Sequence, residues 1–191
     1  MSVRLILVGP PGAGKGTQAE LLCEALGIPA ISTGEIFRRH AKAHDELGQL
    51  AESYTSRGEL VPDEVTNKMV AARLAEQDAA DGFLLDGYPR NLSQVAALDS
   101  MLGESSIDAV LSLVADDDEV VQRLLGRAAE QGRVDDTEDV IRHRIELYHA
   151  QTEPLISVYR ERGILVEVDG MGGIEEVAQN LVSELKAFLT K

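Results

Sequence analysis

The chain has 191 residues, 44% of them hydrophobic, and carries a formal net charge of −15 from 33 acidic and 18 basic residues. That charge argues against a generic nucleic-acid binder or a binder of anionic membranes. A single cysteine, Cys23, excludes an internal disulfide and a cysteine-rich zinc site. No apolar run approaches the ~20 residues of a membrane helix, and the N-terminus lacks a signal-type cleavage site, so a cytoplasmic protein is expected. The length suits one compact domain, residues 1–191, that needs no covalent staple.

In chain order, Val3 to Val8 is a nearly continuous apolar run, as in a strand buried on both faces of a parallel sheet. A helical pattern follows from Lys15 to Leu26, then a second short strand over Ile28 to Ile31. Ser32 with Glu35 has capping-box spacing at a helix start. Helical patterns continue over Leu47 to Thr55 and Glu64 to Glu76. Phe83 to Asp86 reads as a third strand, stopped by Gly87-Tyr88-Pro89. Asn91 to Leu102 is helical, and Ile107 to Val114 is a fourth strand. Asp116 and Glu119 mark the start of a helix over Val120 to Ala129. A short polar loop is expected to run from there to about Asp136. The helical pattern from Val140 to Arg162 contains Pro154, which predicts a kink or break. Ile164 to Val168 is a fifth strand and Ile174 to Leu189 the closing helix. Strands alternating with helices predict an α/β fold with a five-stranded parallel sheet covered on both faces. Thr33 to Gln77 is too long for one crossover, and it and the loop after Arg127 read as insertions of the kind that carry lids and binding lobes.

Gly9-Pro10-Pro11-Gly12-Ala13-Gly14-Lys15-Gly16-Thr17 follows a strand and opens a helix, the context a phosphate-binding loop requires. Its glycines let backbone N–H groups face an anion, the helix start adds its dipole, and Lys15 supplies a mobile charge. Gly16 stands where the strict pattern has Ser or Thr, so the hydroxyl falls at Thr17. Asp86 ends a core strand beside this loop, where a carboxylate can orient Mg²⁺ through water. Thirteen of the 18 basic residues are Arg, the side chain best shaped for phosphate. Arg123 and Arg127 are four apart and share a helix face. Arg133 precedes Asp135-Asp136, and Arg144 follows on the next helix.

The loop GPPGAGKGT resembles that of the nucleoside monophosphate kinases, and the remaining motifs are similar to those of the adenylate kinase family. Ser32-Thr33-Gly34-Glu35 resembles the family's STGD with Glu for Asp, and Arg38 follows at its spacing. Glu59-Leu60-Val61-Pro62-Asp63 resembles the segment whose backbone lines the AMP base. Asp86-Gly87-Tyr88-Pro89-Arg90 resembles DGFPR with Tyr for Phe, and Gln94 lies four residues on. Gly132-Arg133-Val134-Asp135-Asp136 resembles GRxDD, and Asp169-Gly170-Met171-Gly172 the turn after the last strand. The resemblance implies a P-loop nucleoside triphosphate hydrolase-like fold, with a monophosphate-binding insertion at 32–61 and a short lid at 127–137. It implies reversible phosphoryl transfer from ATP to AMP, giving two ADP, with Mg²⁺ and without zinc, in a monomer. ATP would be held by Gly12, Ala13, Gly14, Lys15, Gly16, Thr17, Arg123, Arg127 and the Gly172 carbonyl. AMP would be held by Thr33, Arg38, Glu59, Leu60, Val61, Gly87, Tyr88, Pro89, Arg90 and Gln94, with Arg133 and Arg144. Lys15, Arg90, Arg123, Arg127, Arg133 and Arg144 would serve the transferring phosphoryl group.

Plainer readings stand beside these. Thr33 suits a helix cap, Asp86-Gly87 a strand-end turn, Arg123 and Arg127 a solvated basic face, and Gly172 a glycine-rich turn. Cys23, among Leu21, Leu22 and Leu26, reads as packing. A UMP/CMP kinase on the same scaffold usually carries Ala at the position of Thr33 and Asn at that of Gln94. A GTP-binding switch would need an NKxD segment, and Asn67-Lys68-Met69-Val70 lacks its Asp. A non-catalytic nucleotide sensor would not need the intact set of cations.

Overall fold

The structure, a computed structural model, describes residues 3–103, 106–131 and 137–190, the side chains of 129–131 excepted. Its centre is one five-stranded parallel sheet. The strands are β1 (Val3–Val8), β2 (Ala30–Ser32), β3 (Gly82–Asp86), β4 (Ala109–Val114) and β5 (Leu165–Asp169), in the spatial order β2-β3-β1-β4-β5. β1 is central and pairs with β3 on one side (Leu5 with Leu84) and β4 on the other (Leu5 with Ala109). Its run is apolar but for Arg4 because both faces are covered. Leu5 and Leu7 enter one core with Leu22, Leu111 and Leu181, while Ile6 and Val8 enter the opposite core with Leu85, Leu98 and Tyr159. The alternation is the two-residue period of a strand read on two buried faces.

The helices are α1 (Lys15–Leu26), α2 (Thr33–Ala43), α3 (Glu46–Thr55), α4 (Asp63–Leu74), α5 (Leu92–Leu102), α6 (Asp117–Gln131), α7 (Glu138–Leu147), α8 (Pro154–Glu161) and α9 (Ile174–Leu189). Several begin on side-chain caps of the expected kind. The Glu35 N–H donates to Ser32 Oγ, the Gly48 N–H to Asp45 and the Gln94 N–H to Asn91. Two small cores lie outside the sheet. Val120, Val121 and Leu124 of α6 meet Ile141 and Ile145 of α7, while Phe37, Ala51 and Val61 join α2, α3 and the segment before α4. No helix among the described residues is long and apolar enough to cross a membrane.

Most element ends shift by one to three residues from the sequence reading, and some of the differences have a physical reason. β2 begins at Ala30, because Pro29 cannot donate to a ladder. α6 runs past Ala129 to Gln131, and Arg123 and Arg127 both lie on it, as their spacing predicted. Residues 132–136, with Arg133, lie outside the described residues. The break at Pro154 takes a definite form. Tyr148–Thr152 is a π-helical turn, the Glu153 N–H bonds back to Tyr148 O at 2.8 Å, and Pro154 opens α8, where its missing N–H costs nothing.

Candidate active site

All five strands run the same way, so their carboxyl ends share one edge, where open α/β sheets place ligand sites. That edge gathers the loop after Val8, Thr33 after β2, Gly87 to Arg90 after β3, Asp116 after β4 and Gly170 to Gly172 after β5. Residues far apart in the chain are thereby brought to one cleft.

Lys15 opens α1, and its Nζ donates to Gly9 O at 2.9 Å and Pro10 O at 3.0 Å. Desolvation in the site lowers its pKa to about 8. The Asp86 carboxylate opposes that shift, and Arg90, Arg144 and Arg127 reinforce it. Arg90 is likewise pulled below its usual value by burial and by Arg144 and Arg38, against the pull of Asp86. A cluster of cations under mutual repulsion, around one buried carboxylate, is a site prepared for anions.

A cavity of about 240 Å³ opens among these cations, walled by Lys15, Arg38, Leu60, Arg90, Arg144 and Tyr148. Glu59, Gly87 and Pro89 also reach it, as does Phe37, whose role local sequence did not suggest. Thr33, Val61, Tyr88 and Gln94 lie buried and do not line it. Thr33 is not the cap of α2. Ser32 is, which frees the Thr33 hydroxyl to donate to Gly87 O at 2.9 Å, and Arg90 Nε donates to the same oxygen at 2.8 Å. Gly87 sits at φ +80°, and a Cβ there would lie 2.8 Å from Thr33 Oγ1 and 3.0 Å from Arg90 Nη2, so only glycine fits between them. Gln94 is 2% exposed, and its Oε1 accepts the Arg90 N–H at 2.7 Å. The Thr152 hydroxyl holds Arg90 O at 2.7 Å. Asn91 and Thr152 had no signal as site residues, and Asp63 stood out only as the end of the segment from Glu59, because their side-chain partners are set by tertiary contact.

On the other side of the phosphate loop, Gly12, Ala13 and Gly14 form the turn into α1, with Gly12 and Gly14 at positive φ, and Gly16 and Thr17 lie in the first turn of the helix. Arg123 donates to Gly170 O at 3.2 Å and Met171 O at 3.3 Å, and to Glu119 at 2.8 Å. It therefore ties α6 to the turn that carries Gly172. Arg127, one helical turn on, is close enough to bear on Lys15. Among the described residues no three His, Cys, Asp or Glu side chains converge as a metal cage. Asp86, 8% exposed at the end of β3, is close enough to act on both Lys15 and Arg90. It fits a metal that takes its other ligands from phosphate and water.

A glycine-rich turn between a central parallel strand and a helix, its Lys facing the acidic end of a neighbouring strand, defines a P-loop phosphotransferase scaffold. The family model described as "Adenylate kinase" matches residues 7–164. Proteins named adenylate kinase from Kocuria rhizophila and Clavibacter michiganensis subsp. michiganensis are 56% identical over 185 residues and 58% identical over 184. These alignments cover 96% and 95% of this chain, and 98% and 92% of the relatives. A third, from Thermobifida fusca, is 54% identical over 187 residues, covering 97% of this chain and 99% of the relative. The chain belongs to the adenylate kinase family.

Proposed function

We propose that the protein transfers the terminal phosphoryl group of ATP to AMP, reversibly, giving two ADP. The observation that carries this reading is the convergence of Lys15, Arg38, Arg90 and Arg144 on one cavity beside Asp86. An ionised AMP oxygen needs no general base, so the protein's work is alignment, charge neutralisation and exclusion of water. ATP lies along the phosphate loop, Gly12 to Thr17, with Arg123, Arg127 and the Gly172 turn at its far end. AMP lies between Arg38 and Arg90, with its base toward Thr33, residues 59–61 and Gln94. Arg144 lies on the cavity beside Lys15 and Arg90, and with Arg133 it would serve the phosphoryl group in flight and the AMP side. Asp86 would hold Mg²⁺ through water, and the ion would supply further neutralisation of the phosphate charge. The segments 32–61 and 127–137 act as the monophosphate-binding lobe and a short lid without zinc. The enzyme works as a cytoplasmic monomer in adenine nucleotide balance.

The test is a coupled assay of ADP formation from ATP with AMP, CMP or UMP as acceptor. AMP should be strongly preferred, with activity lost on chelation and restored by Mg²⁺. A preference for CMP or UMP would move the protein to the pyrimidine kinases, and no transfer to any acceptor would make it a sensor.

A further inference from the structure

The amide of Gln94 is held from both ends by partners of opposite kind. Its Oε1 accepts the Arg90 N–H at 2.7 Å, and its Nε2 donates to Asp63 Oδ1 at 2.8 Å. The same Asp63 oxygen accepts from Asn91 Nδ2 at 3.0 Å, while Asn91 Oδ1 takes the Gln94 N–H at 2.9 Å. The two ends of an amide are nearly equal in shape, so the orientation of a buried one is decided by its partners. A backbone N–H can only donate and a carboxylate can only accept. Turning the Gln94 amide over would set its NH₂ against the Arg90 N–H and its oxygen against the Asp63 carboxylate. At a side chain 2% exposed, no water would relieve either conflict.

We infer that Asp63 is a specificity-determining positioning residue: it locks the Gln94 amide in the one orientation that accepts a 6-aminopurine and rejects a 6-oxopurine. This rests on the reading of Gln94 as the amide that meets the AMP base. Once Arg90 and Asp63 are served, Gln94 retains one N–H and one oxygen lone pair. A 6-aminopurine presents a ring-nitrogen acceptor beside an amino donor, which complements that pair. A 6-oxopurine presents a ring N–H beside a carbonyl oxygen, which would require the amide reversed. A polar site committed to one pattern rejects its inverse by leaving its own groups unpaired. Asp63 belongs to α4 and Gln94 to α5, so the lock also joins the two helices that flank the base.

The experiment measures kcat and KM for AMP and for IMP, with saturating ATP, in wild type, D63S, D63N and Q94L. Ser suits a helix start, but its hydroxyl both donates and accepts, so it cannot enforce an orientation. In D63S the ratio of kcat/KM for AMP over IMP should fall about tenfold or more, through a raised KM for AMP, with KM for ATP unmoved. Asn at 63 can still offer its oxygen to Gln94 and Asn91, so D63N should restore most of the lost ratio. A D63S enzyme in which AMP and IMP decline together, their ratio intact, overturns the inference, as does a D63N enzyme no more selective than D63S. Q94L separates the two readings. If it leaves the ratio unchanged, Gln94 does not meet the base and the underlying assignment fails. If it narrows the ratio while D63S does not, the lock alone fails.

Discussion

Gly12 of the phosphate loop lies directly beneath Leu124 of α6: a Cβ on Gly12 would stand 2.8 Å from Leu124 Cγ and 2.9 Å from Val120 O. The loop and the helix bearing Arg123 and Arg127 are therefore in contact through a position with no side chain. Gly14, at nearly the same positive φ, has open space where its Cβ would be. The pair separates two costs. Gly14→Ala should cost only the strain of a left-handed L-residue, roughly 1–2 kcal/mol. Gly12→Ala carries that strain and also pushes on a backbone carbonyl that cannot yield, adding about 1–3 kcal/mol. Urea unfolding should rank Gly12→Ala as the less stable protein. Equal midpoints would mean that α6 does not bear on the loop.

Lys15 gives a prediction in protons. Its pKa of about 8 in the free protein is depressed by desolvation and by neighbouring cations. A bound triphosphate favours the charged form and moves the pKa back up. Binding of Mg-ATP at pH 8 should thus take up roughly half a proton, and at pH 6.5 almost none. Calorimetry in two buffers of different ionisation enthalpy reads this directly. Lys15→Arg, which keeps the charge but does not titrate, should abolish the uptake. Lys15→Met should cut turnover by the ~3 kcal/mol or more that such charge stabilisation supplies. Unchanged uptake in Lys15→Arg would assign the proton to another group.

Arg90 is held at its N–H by Gln94, at Nε by Gly87 O and at its carbonyl by Thr152. A cation fixed this way costs little to order when the phosphate arrives. Arg90→Ala should raise KM for AMP and lower kcat/KM by about 1.5–3 kcal/mol, one to two decades, with the Kd for ATP nearly unchanged. Thr152→Val removes only the carbonyl contact and should have a smaller effect of the same sign. An Arg90→Ala enzyme with normal AMP kinetics would remove this residue from the acceptor site.

His149 joins the π-helical turn to the start of α6, with Glu153 on one ring nitrogen at 2.8 Å and Asp117 on the other at 2.9 Å. Those hydrogen bonds raise its pKa above 6.5, that of Glu153 first and that of Asp117 next. A raised cation pKa contributes stability that is complete below the unfolded value of ~6.5 and is lost as pH climbs through the folded value. His149→Gln should therefore be less stable than wild type at pH 6 and nearly equal to it at pH 9. All three groups are about half exposed, so solvent screening limits the difference to at most about 1 kcal/mol. Urea midpoints at the two pH values check it, and a difference that grew with pH would reverse the sign.

What could be read in advance follows the range of the forces involved. The strands, the glycine loop and most helix starts were legible, because each rests on local chemistry: an apolar run, a turn, or a capping side chain such as Ser32 or Asn91. The division of Val3–Val8 between two cores was implicit in its nearly continuous hydrophobicity, interrupted only at Arg4. The surroundings of Arg90 were not legible, since Thr152 reaches it across 62 positions of chain. Gln94 stands out for its amide, but nothing in the segment Glu59 to Asp63 shows that the Asp63 side chain reaches Gln94, 31 positions away. The form of the break at Pro154 was also out of reach. Proline predicts the loss of a hydrogen bond but not that a π turn takes up the slack.

The central place of β1 has a consequence for how the chain is made. Its neighbours in the sheet are β3 and β4, while β2, the next strand to be synthesised, sits at the far edge and pairs only with β3. A chain emerging from a ribosome therefore carries its central, largely apolar strand with no partner until residues 82–86 follow. At about 5–20 residues per second that delay is on the order of several seconds. Throughout it, α1 to α4 can begin to coil, but the sheet they pack on does not yet exist. The interval leaves Leu5 to Val8 open to holding chaperones, and slowing translation before β3 would lengthen it.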